Sequence, residues 1–99
     1  LLAVPVADTL KLANDNQAVK ITYPRDNLWR AFTPQAFRLN KISSALENVI
    51  KNDLEITDDS SAMELMGARP KLVPGDVQNI KITTPQDLIL AKKLIKVNN

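Results

Sequence analysis

The side chains that could do chemistry in this sequence are lysines, arginines, carboxylates and hydroxyls. The 99 residues contain no cysteine and no histidine. The absence of cysteine excludes disulfides, thiolate catalysis and thiolate-bound zinc, and it suits a reducing cytosol. The absence of histidine removes the commonest general base and metal ligand. Mechanisms of the Ser-His-Asp and Cys-His kinds are therefore excluded.

Lys81 has the most suggestive position of these residues. It interrupts the apolar pair Ile80 and Ile82 in "NIKIT", a predicted strand that runs directly into "TPQD", a predicted helix start. Ligands of α/β proteins bind where strands end and helices begin, and a lysine there is suited to an anion. The alternation alone favours the simpler interpretation, in which the two isoleucines face the core and Lys81 faces water.

Three other sets of residues also have two interpretations each, a functional one and a structural one. Arg25 could form a fork for a phosphate or be an exposed charge beside a turn proline. Thr9 and Thr33 could donate hydroxyls to a ligand, but threonine is common in strands. Asp58 and Asp59 could bind a divalent ion, but they also suit a helix N-terminus. From the residues alone, the structural interpretation is the simpler one in every case.

The charge and the length of the chain restrict its partners. Thirteen basic residues oppose eleven acidic ones, and this small net charge does not predict nucleic-acid binding. The apolar opening is much shorter than a membrane span, so no membrane partner is expected. A chain of this length predicts one small domain. Because the sequence starts at Leu1 in an apparent strand, we expect it to be part of a longer protein.

Two strands near the start of the chain predict a β-hairpin. Residues 6–13 ("VADTLKLA") and 17–23 ("QAVKITY") alternate apolar and polar side chains, and the polar loop 14–16 separates them. Two strands alone are marginally stable in water, so we expect this hairpin to need a partner surface.

Strand and helix patterns alternate in the rest of the chain. Strands are predicted in "RDNLWRAFT", "PKLVPG" and "NIKIT", and a helix is predicted between Asn40 and Asn52. This order predicts an α/β architecture with parallel strands. The face predicted to be buried on this helix consists of Ile42, Leu46, Val49 and Ile50.

Two further helices are predicted from their end signals. "TDDSSAMELMG" predicts a helix capped by Thr57 or Asp58 and closed by Gly67. "TPQD" predicts a helix with Thr84 as N-cap and Asp87 completing a capping box. The buried stripe predicted on this last helix consists of Leu88, Ala91, Leu94 and Ile95.

Four stretches in order, "PVADTLK", "RDNLWRAFTPQAF", "ITDDSSAMELMG" and "LVPGDVQNIKITTPQDLILAKKL", closely resemble the carboxyl-terminal half of 2-C-methyl-D-erythritol 4-phosphate cytidylyltransferases. These are enzymes of non-mevalonate isoprenoid biosynthesis. The resemblance covers essentially the whole chain. It implies the carboxyl-terminal part of a nucleotidyltransferase fold, which is Rossmann-like and similar to nucleotide-diphospho-sugar transferases. The β-hairpin dimerisation arm would consist of about residues 4–26, and the α/β body would consist of residues 27–99.

The resemblance also implies a reaction and a set of site residues. The family transfers CMP from CTP to a sugar-alcohol phosphate and releases pyrophosphate in the cytoplasm. Matching its motifs residue by residue places Thr9, Arg25, Thr33 and Lys81 at the acceptor phosphate. Lys81 would also lie near the reacting groups, as a catalytic residue. The hairpin would cross to the second subunit of a homodimer and bring its residues to the partner's site.

Two departures and one gap stand beside the resemblance. Asn27 stands where the family usually has Gly, and Ser60 replaces a common Ala; asparagine also tolerates left-handed backbone. No glycine-rich loop that could hold a triphosphate is present, since Gly67 and Gly75 are the only glycines. The CTP loop and the Mg²⁺ ligands are expected in the missing amino-terminal half, so this chain should be inactive alone. A ribitol 5-phosphate cytidylyltransferase fragment and a non-catalytic oligomerisation module are the alternatives.

Overall fold

Five strands and three helices make up the described part of the chain in this computed structural model, which covers residues 1–98 and the side chains of residues 1–96. The strands are β1 (Leu2–Pro5), β2 (Leu10–Ala13), β3 (Val19–Tyr23), β4 (Trp29–Ala31) and β5 (Val73–Pro74). The helices are α1 (Leu39–Lys51), α2 (Asp59–Leu65) and α3 (Pro85–Asn98). No helix within residues 1–98 has both the length and the apolar character needed to cross a bilayer.

A mixed three-stranded sheet has the strand order β4-β1-β5. β1 pairs antiparallel with β4, with Ala3 opposite Ala31 and Pro5 opposite Trp29. β1 pairs parallel with β5, so the predicted parallel arrangement is right for this pair only. The chain is therefore α/β as predicted, with small sheets.

The strand predicted in "NIKIT" is wrong. Residues 79–83 form neither helix nor strand. A strand needs a neighbour for its N–H and C=O groups, and no strand of residues 1–98 pairs with this segment. Alternation in the sequence marks a segment that suits a sheet, but it does not supply the neighbouring strand.

The hairpin is confirmed as a separate two-stranded sheet of β2 and β3. Leu10 pairs with Tyr23 and Leu12 pairs with Ile21, so these four side chains share one face. The Lys11 Nζ atom donates to the Thr22 hydroxyl at 2.8 Å on the other face. Leu12, Ile21 and Tyr23 are each more than two-fifths exposed. No other helix or strand of the described residues packs against the hairpin.

The helical part of the core lies between α1 and α2. Ala45, Val49 and Ala62 are buried there, and Leu46 packs partly buried against them. The prediction for Ile50 is wrong, because this side chain is 79% exposed. Residues 45 and 49 lie one above the other on the α2 side of the helix, and residue 50 is turned about 100° away from residue 49.

The stripe predicted to be buried on α3 is largely exposed. Leu88 is 44% exposed and Ile95 is 61% exposed, whereas Ala91 and Leu94 are partly buried. A pocket of about 250 Å³ is lined both by the helix and by the segment around Ile80. The prediction is wrong for the two exposed residues because no other helix or strand of residues 1–98 packs on this side of α3.

The N-terminus of α3 has the predicted capping box. The Thr84 hydroxyl accepts the Asp87 N–H at 3.2 Å, and an Asp87 carboxylate oxygen accepts the Thr84 N–H at 3.0 Å. The same oxygen accepts from the Thr83 N–H and from the Thr83 hydroxyl. These bonds, above all the one from the Thr83 N–H, lower the pKa of Asp87. The chain direction after Lys81 is therefore fixed by local hydrogen bonds.

The ends of α2 are also as predicted. Asp58 is the N-cap, and its Oδ1 atom accepts the Ser61 N–H at 2.8 Å and the Ser61 hydroxyl at 2.6 Å. Gly67 follows the helix with a φ of +85°, a left-handed conformation that glycine adopts without strain.

Replacement of the N-cap residue Asp58 by alanine should lower the free energy of unfolding by about 0.5–2 kcal/mol near neutral pH. Hydrogen bonds, first from the Ser61 hydroxyl and then from the Gln35 amide, lower the pKa of Asp58 below its usual value of 3.8. A lowered folded-state pKa stabilises the fold above that usual value, and the contribution is lost as the pH falls through the folded-state pKa. The difference between wild type and Asp58→Ala should therefore shrink in acid, as urea unfolding would measure. Asp59→Ala, which removes the neighbouring carboxylate, is the control; an equal loss from both would contradict the assignment.

Candidate substrate-binding site

Thr9 and Arg25 lie together at the base of the hairpin. Thr9 comes directly before β2 and Arg25 shortly after β3, and the pairing of Leu10 with Tyr23 places both at the same end of the two strands. The Arg25 Nη1 group donates to the Ala7 carbonyl, and both side chains are exposed. A guanidinium has five N–H donors, so this bond leaves others for an anion.

The turn after Arg25 is compatible with asparagine in place of the usual glycine. The Leu28 N–H donates to the Arg25 carbonyl at 3.0 Å, and Asn27 has a φ of +63° inside this turn. Asparagine is one of the few residues that adopt this left-handed conformation readily. The Val6 N–H then donates to the Leu28 carbonyl at 2.9 Å, which joins the turn to the chain after β1. The Asn27 substitution therefore leaves the turn at Arg25 intact.

Thr33 and the segment before Lys81 are joined by a side-chain hydrogen bond. Thr33 follows β4, precedes a cis peptide bond to Pro34, and its carbonyl accepts the Asn79 Nδ2 amide at 2.9 Å. Lys81 lies two residues beyond Asn79 and is exposed. The predicted strand-tip position of Lys81 is wrong, since the residue lies in a connecting segment. It still precedes α3 by only a few residues.

The four predicted site residues form two separate groups within one chain. Thr9 and Arg25 lie beyond the end of the β1–β4 pair where Pro5 meets Trp29, and Thr33 lies beyond the opposite end, where Ala3 meets Ala31. At about 3.3 Å per residue of extended chain, the five steps from residue 28 to residue 33 span about 16 Å. One chain therefore does not bring all four residues to one phosphate.

Two amide side chains near Thr33 were not predicted as site residues. Gln35 donates its Nε2 amide to the Asp58 carboxylate at 2.9 Å, and its Oε1 atom accepts the Ser60 N–H at 3.1 Å. The Asn79 side-chain amide donates to the Thr33 carbonyl. The sequence offered one indication of these two residues, because they lie in the "TPQ" and "NIK" stretches together with the predicted site residues Thr33 and Lys81. Asp58 was considered as a helix cap and as a ligand of a divalent ion, and its bond to Gln35 links two stretches far apart in sequence.

The described residues do not fit a metal or a triphosphate. Within residues 1–98, no group of three or more acidic side chains is placed to hold a metal ion. Asp58 is occupied by the α2 N-terminus and by Gln35. Gly75 packs against Phe32, and an added Cβ would lie 3.4 Å from that ring. The described residues therefore do not form the Mg²⁺ site that the family resemblance implies for the complete protein.

Solved structures define the class of protein that has this architecture. The 2-C-methyl-D-erythritol 4-phosphate cytidylyltransferase from Thermus thermophilus superposes with a TM-score of 0.84 at 33% sequence identity, over 95% of this chain and 46% of that chain. The enzyme of that name from Francisella tularensis gives 0.82 at 40% identity, over 93% of this chain and 43% of that one. The class is that of the α/β cytidylyltransferases, a group of nucleotidyltransferases.

Sequence comparison then defines the family within this class. The family described as "IspD: 2-C-methyl-D-erythritol 4-phosphate cytidylyltransferase" matches residues 1–97, and the chain belongs to this family. A 2-C-methyl-D-erythritol 4-phosphate cytidylyltransferase of Nitrosomonas eutropha is 52% identical over 96 residues. That match covers 97% of this chain and 40% of the relative, so the chain spans about two-fifths of its length. The predicted family is confirmed, whereas the carboxyl-terminal location and the dimerisation arm are not confirmed.

Proposed function

We propose that the protein containing this chain transfers CMP from CTP to 2-C-methyl-D-erythritol 4-phosphate and releases pyrophosphate, as a step of isoprenoid biosynthesis. The observation that carries this proposal is the family match over residues 1–97. The relatives that match are named for this activity. The basic and hydroxyl side chains at positions 9, 25, 33 and 81 are of the type that binds a phosphate.

The chain's own contribution is the site for the acceptor phosphate. Arg25 would hold two phosphate oxygens through its planar fork, and Lys81 would act as a mobile point charge on the same group. The hydroxyls of Thr9 and Thr33 would donate the remaining hydrogen bonds. Because Arg25 and Thr33 lie at opposite ends of the β1–β4 pair, the site would be shared by two copies of the chain.

The hairpin is the element that would carry Arg25 to the second copy. Its face of Leu10, Leu12, Ile21 and Tyr23 is uncovered by any other element of the described residues, whereas its other face has the Lys11–Thr22 hydrogen bond. An amphipathic pair of strands is stabilised when its apolar face is buried. A homodimer through this face fits both the exposed hairpin and the divided site.

We expect Ile21→Glu to convert the dimer of the complete protein into monomers at micromolar concentration, because a carboxylate would have to be buried in the apolar interface. Sedimentation equilibrium measures the effect. Thr22→Glu, on the opposite face beside Lys11, is the matched control and should leave the dimer unchanged. A wild-type protein that is monomeric under these conditions would contradict the proposed homodimer.

The activity itself is tested with Arg25→Ala in the complete protein. A charge-assisted hydrogen bond contributes about 1.5–3 kcal/mol, so the use of the acceptor should weaken roughly 10- to 100-fold while the affinity for CTP stays nearly constant. Pyrophosphate release measured against the acceptor concentration gives this ratio. Arg38→Ala, at an exposed arginine outside both groups, is the control. Turnover of ribitol 5-phosphate without turnover of the methylerythritol phosphate would overturn the proposed acceptor.

The CTP side of the reaction would come from the remaining polypeptide. A triphosphate needs a loop with converging N–H groups, and residues 1–99 contain no glycine-rich stretch. The gene sequence that flanks this chain, on one side or the other, should therefore contain such a loop. Its presence before Leu1 would support the carboxyl-terminal location of this chain, and its presence only after Asn99 would overturn that location.

A further inference from the structure

The backbone at Thr33 is held from two sides by side chains that do not belong to either group of predicted site residues. On one side, Gln35 bridges the Asp58 carboxylate and the Ser60 N–H, with both bonds partly buried. The two bonds hold the Gln35 side chain, two residues after Thr33, against the N-terminus of α2. They also satisfy the Ser60 N–H, which lies at the N-terminus of α2 in a residue that is only 3% exposed.

Asn79 holds Thr33 on the other side. Its Nδ2 amide donates to the Thr33 carbonyl at 2.9 Å across 46 positions of sequence. Asn79 is itself held by the turn before it, because the Asn79 N–H donates to the Asp76 carbonyl at 2.9 Å and the Gln78 N–H donates to the Asp76 carboxylate at 2.8 Å. The hydrogen bond of the Asn79 side chain thus sets the segment carrying Lys81 against the residue carrying the Thr33 hydroxyl.

The segment around Lys81 belongs to no strand, and together with α3 it lines an open pocket of about 250 Å³. The other hydrogen bonds of this segment are those of the Asp76 turn, of the Ile80 N–H to the Gln78 carbonyl and of the α3 capping box. All of them join residues at most four positions apart. Among the described residues, the Asn79 bond is therefore the long-range hydrogen bond of the segment.

We propose that Asn79 is a positioning residue that sets the distance between the Thr33 hydroxyl and the Lys81 ammonium, with Gln35 anchoring the Thr33 side of this link. Asn79 acts through the Thr33 carbonyl and does not touch the substrate. The inference rests on the proposed function, because it assigns the distance to one acceptor phosphate. Groups that converge on a phosphate lose much of their effect when one of them moves by about 1 Å.

The test is a double-mutant cycle in the complete protein, with 2-C-methyl-D-erythritol 4-phosphate as the acceptor. Asn79→Leu keeps the approximate size of the side chain and adds no charge, but it cannot donate to the Thr33 carbonyl, so it should raise the KM for the acceptor by about tenfold and leave the KM for CTP unchanged. Lys81→Ala removes the ammonium that Asn79 is proposed to position. In the Lys81→Ala background, Asn79→Leu should therefore have little further effect on the acceptor KM.

The outcomes separate this inference from the proposed function. Additive effects of the two changes, or an unchanged acceptor KM in Asn79→Leu, would overturn the positioning role. A wild-type protein with no turnover of this acceptor would instead overturn the proposed function. Asn48→Ala, which removes the exposed Asn52–Asn48 hydrogen bond of 2.8 Å at the end of α1, is the matched control and should leave both KM values unchanged. Gln35→Leu should also raise the acceptor KM, and an unchanged value would remove Gln35 from the link.

Discussion

Residues 1–99 on their own should not release measurable pyrophosphate from CTP. We expect their rate of release to be at least about a thousandfold below that of the complete protein. Each donor that stabilises developing charge contributes one to several factors of ten, and the chain lacks a whole set of such donors for the triphosphate. The only two glycines, Gly67 and Gly75, are separate and belong to a helix end and to the packing around Phe32. Addition of the acceptor should not change this result.

A coupled pyrophosphate assay on the rigorously purified chain measures this activity, with the complete protein at the same concentration as the reference. Circular dichroism of the same sample should show the helices, so that an inactive chain is known to be a folded one. Turnover above a trace, retained through a second purification, would contradict the division of the site between this chain and the rest of the protein.

Lys81→Ala in the complete protein should reduce acceptor use by roughly 10- to 100-fold or more, and turnover should fall as well. The Lys81 ammonium would bind the acceptor phosphate in the ground state. If it also meets the charge that develops as the acceptor oxygen attacks CTP, its loss appears in kcat and not only in the acceptor KM. This would make Lys81 a catalytic residue as well as a binding residue.

Lys93→Ala is the matched control for this change. Lys93 is a second exposed lysine, in the middle of α3, and its loss should change the acceptor kinetics little. Steady-state kinetics with each substrate varied in turn separate the effects on KM and kcat. Equal effects of the two alanine variants would show that Lys81 is an ordinary solvated charge.

The features that the sequence predicted correctly are those decided by neighbouring residues. The hairpin between Leu10 and Tyr23, the Asp58 cap and the Thr84–Asp87 capping box all depend on contacts within a few positions or across one short loop. The Gly67 helix end belongs to the same group. For such features the residue types themselves contain the hydrogen-bonding partners.

The features that the sequence predicted wrongly depend on what packs alongside. The strand at residues 79–83 lacks a neighbour, the Ile95 side of α3 has no other element on it, and Ile50 turns away from α2. The site residues could be named only by resemblance to a family. Their division into two groups follows from the β1–β4 register, and the bond from Asn79 to Thr33 joins residues 46 positions apart. Neither feature could be predicted from spacing.

The separation of Arg25 from Lys81 along the β1–β4 pair has a consequence for genetics. In a dimer whose sites are each built from both copies, one subunit without Arg25 and one without Lys81 still form one intact site. Random pairing of two such subunits makes half of the dimers mixed, and about a quarter of all sites are then complete. In the proposed homodimer, two variants that are each inactive alone would therefore restore activity when both are produced in one cell.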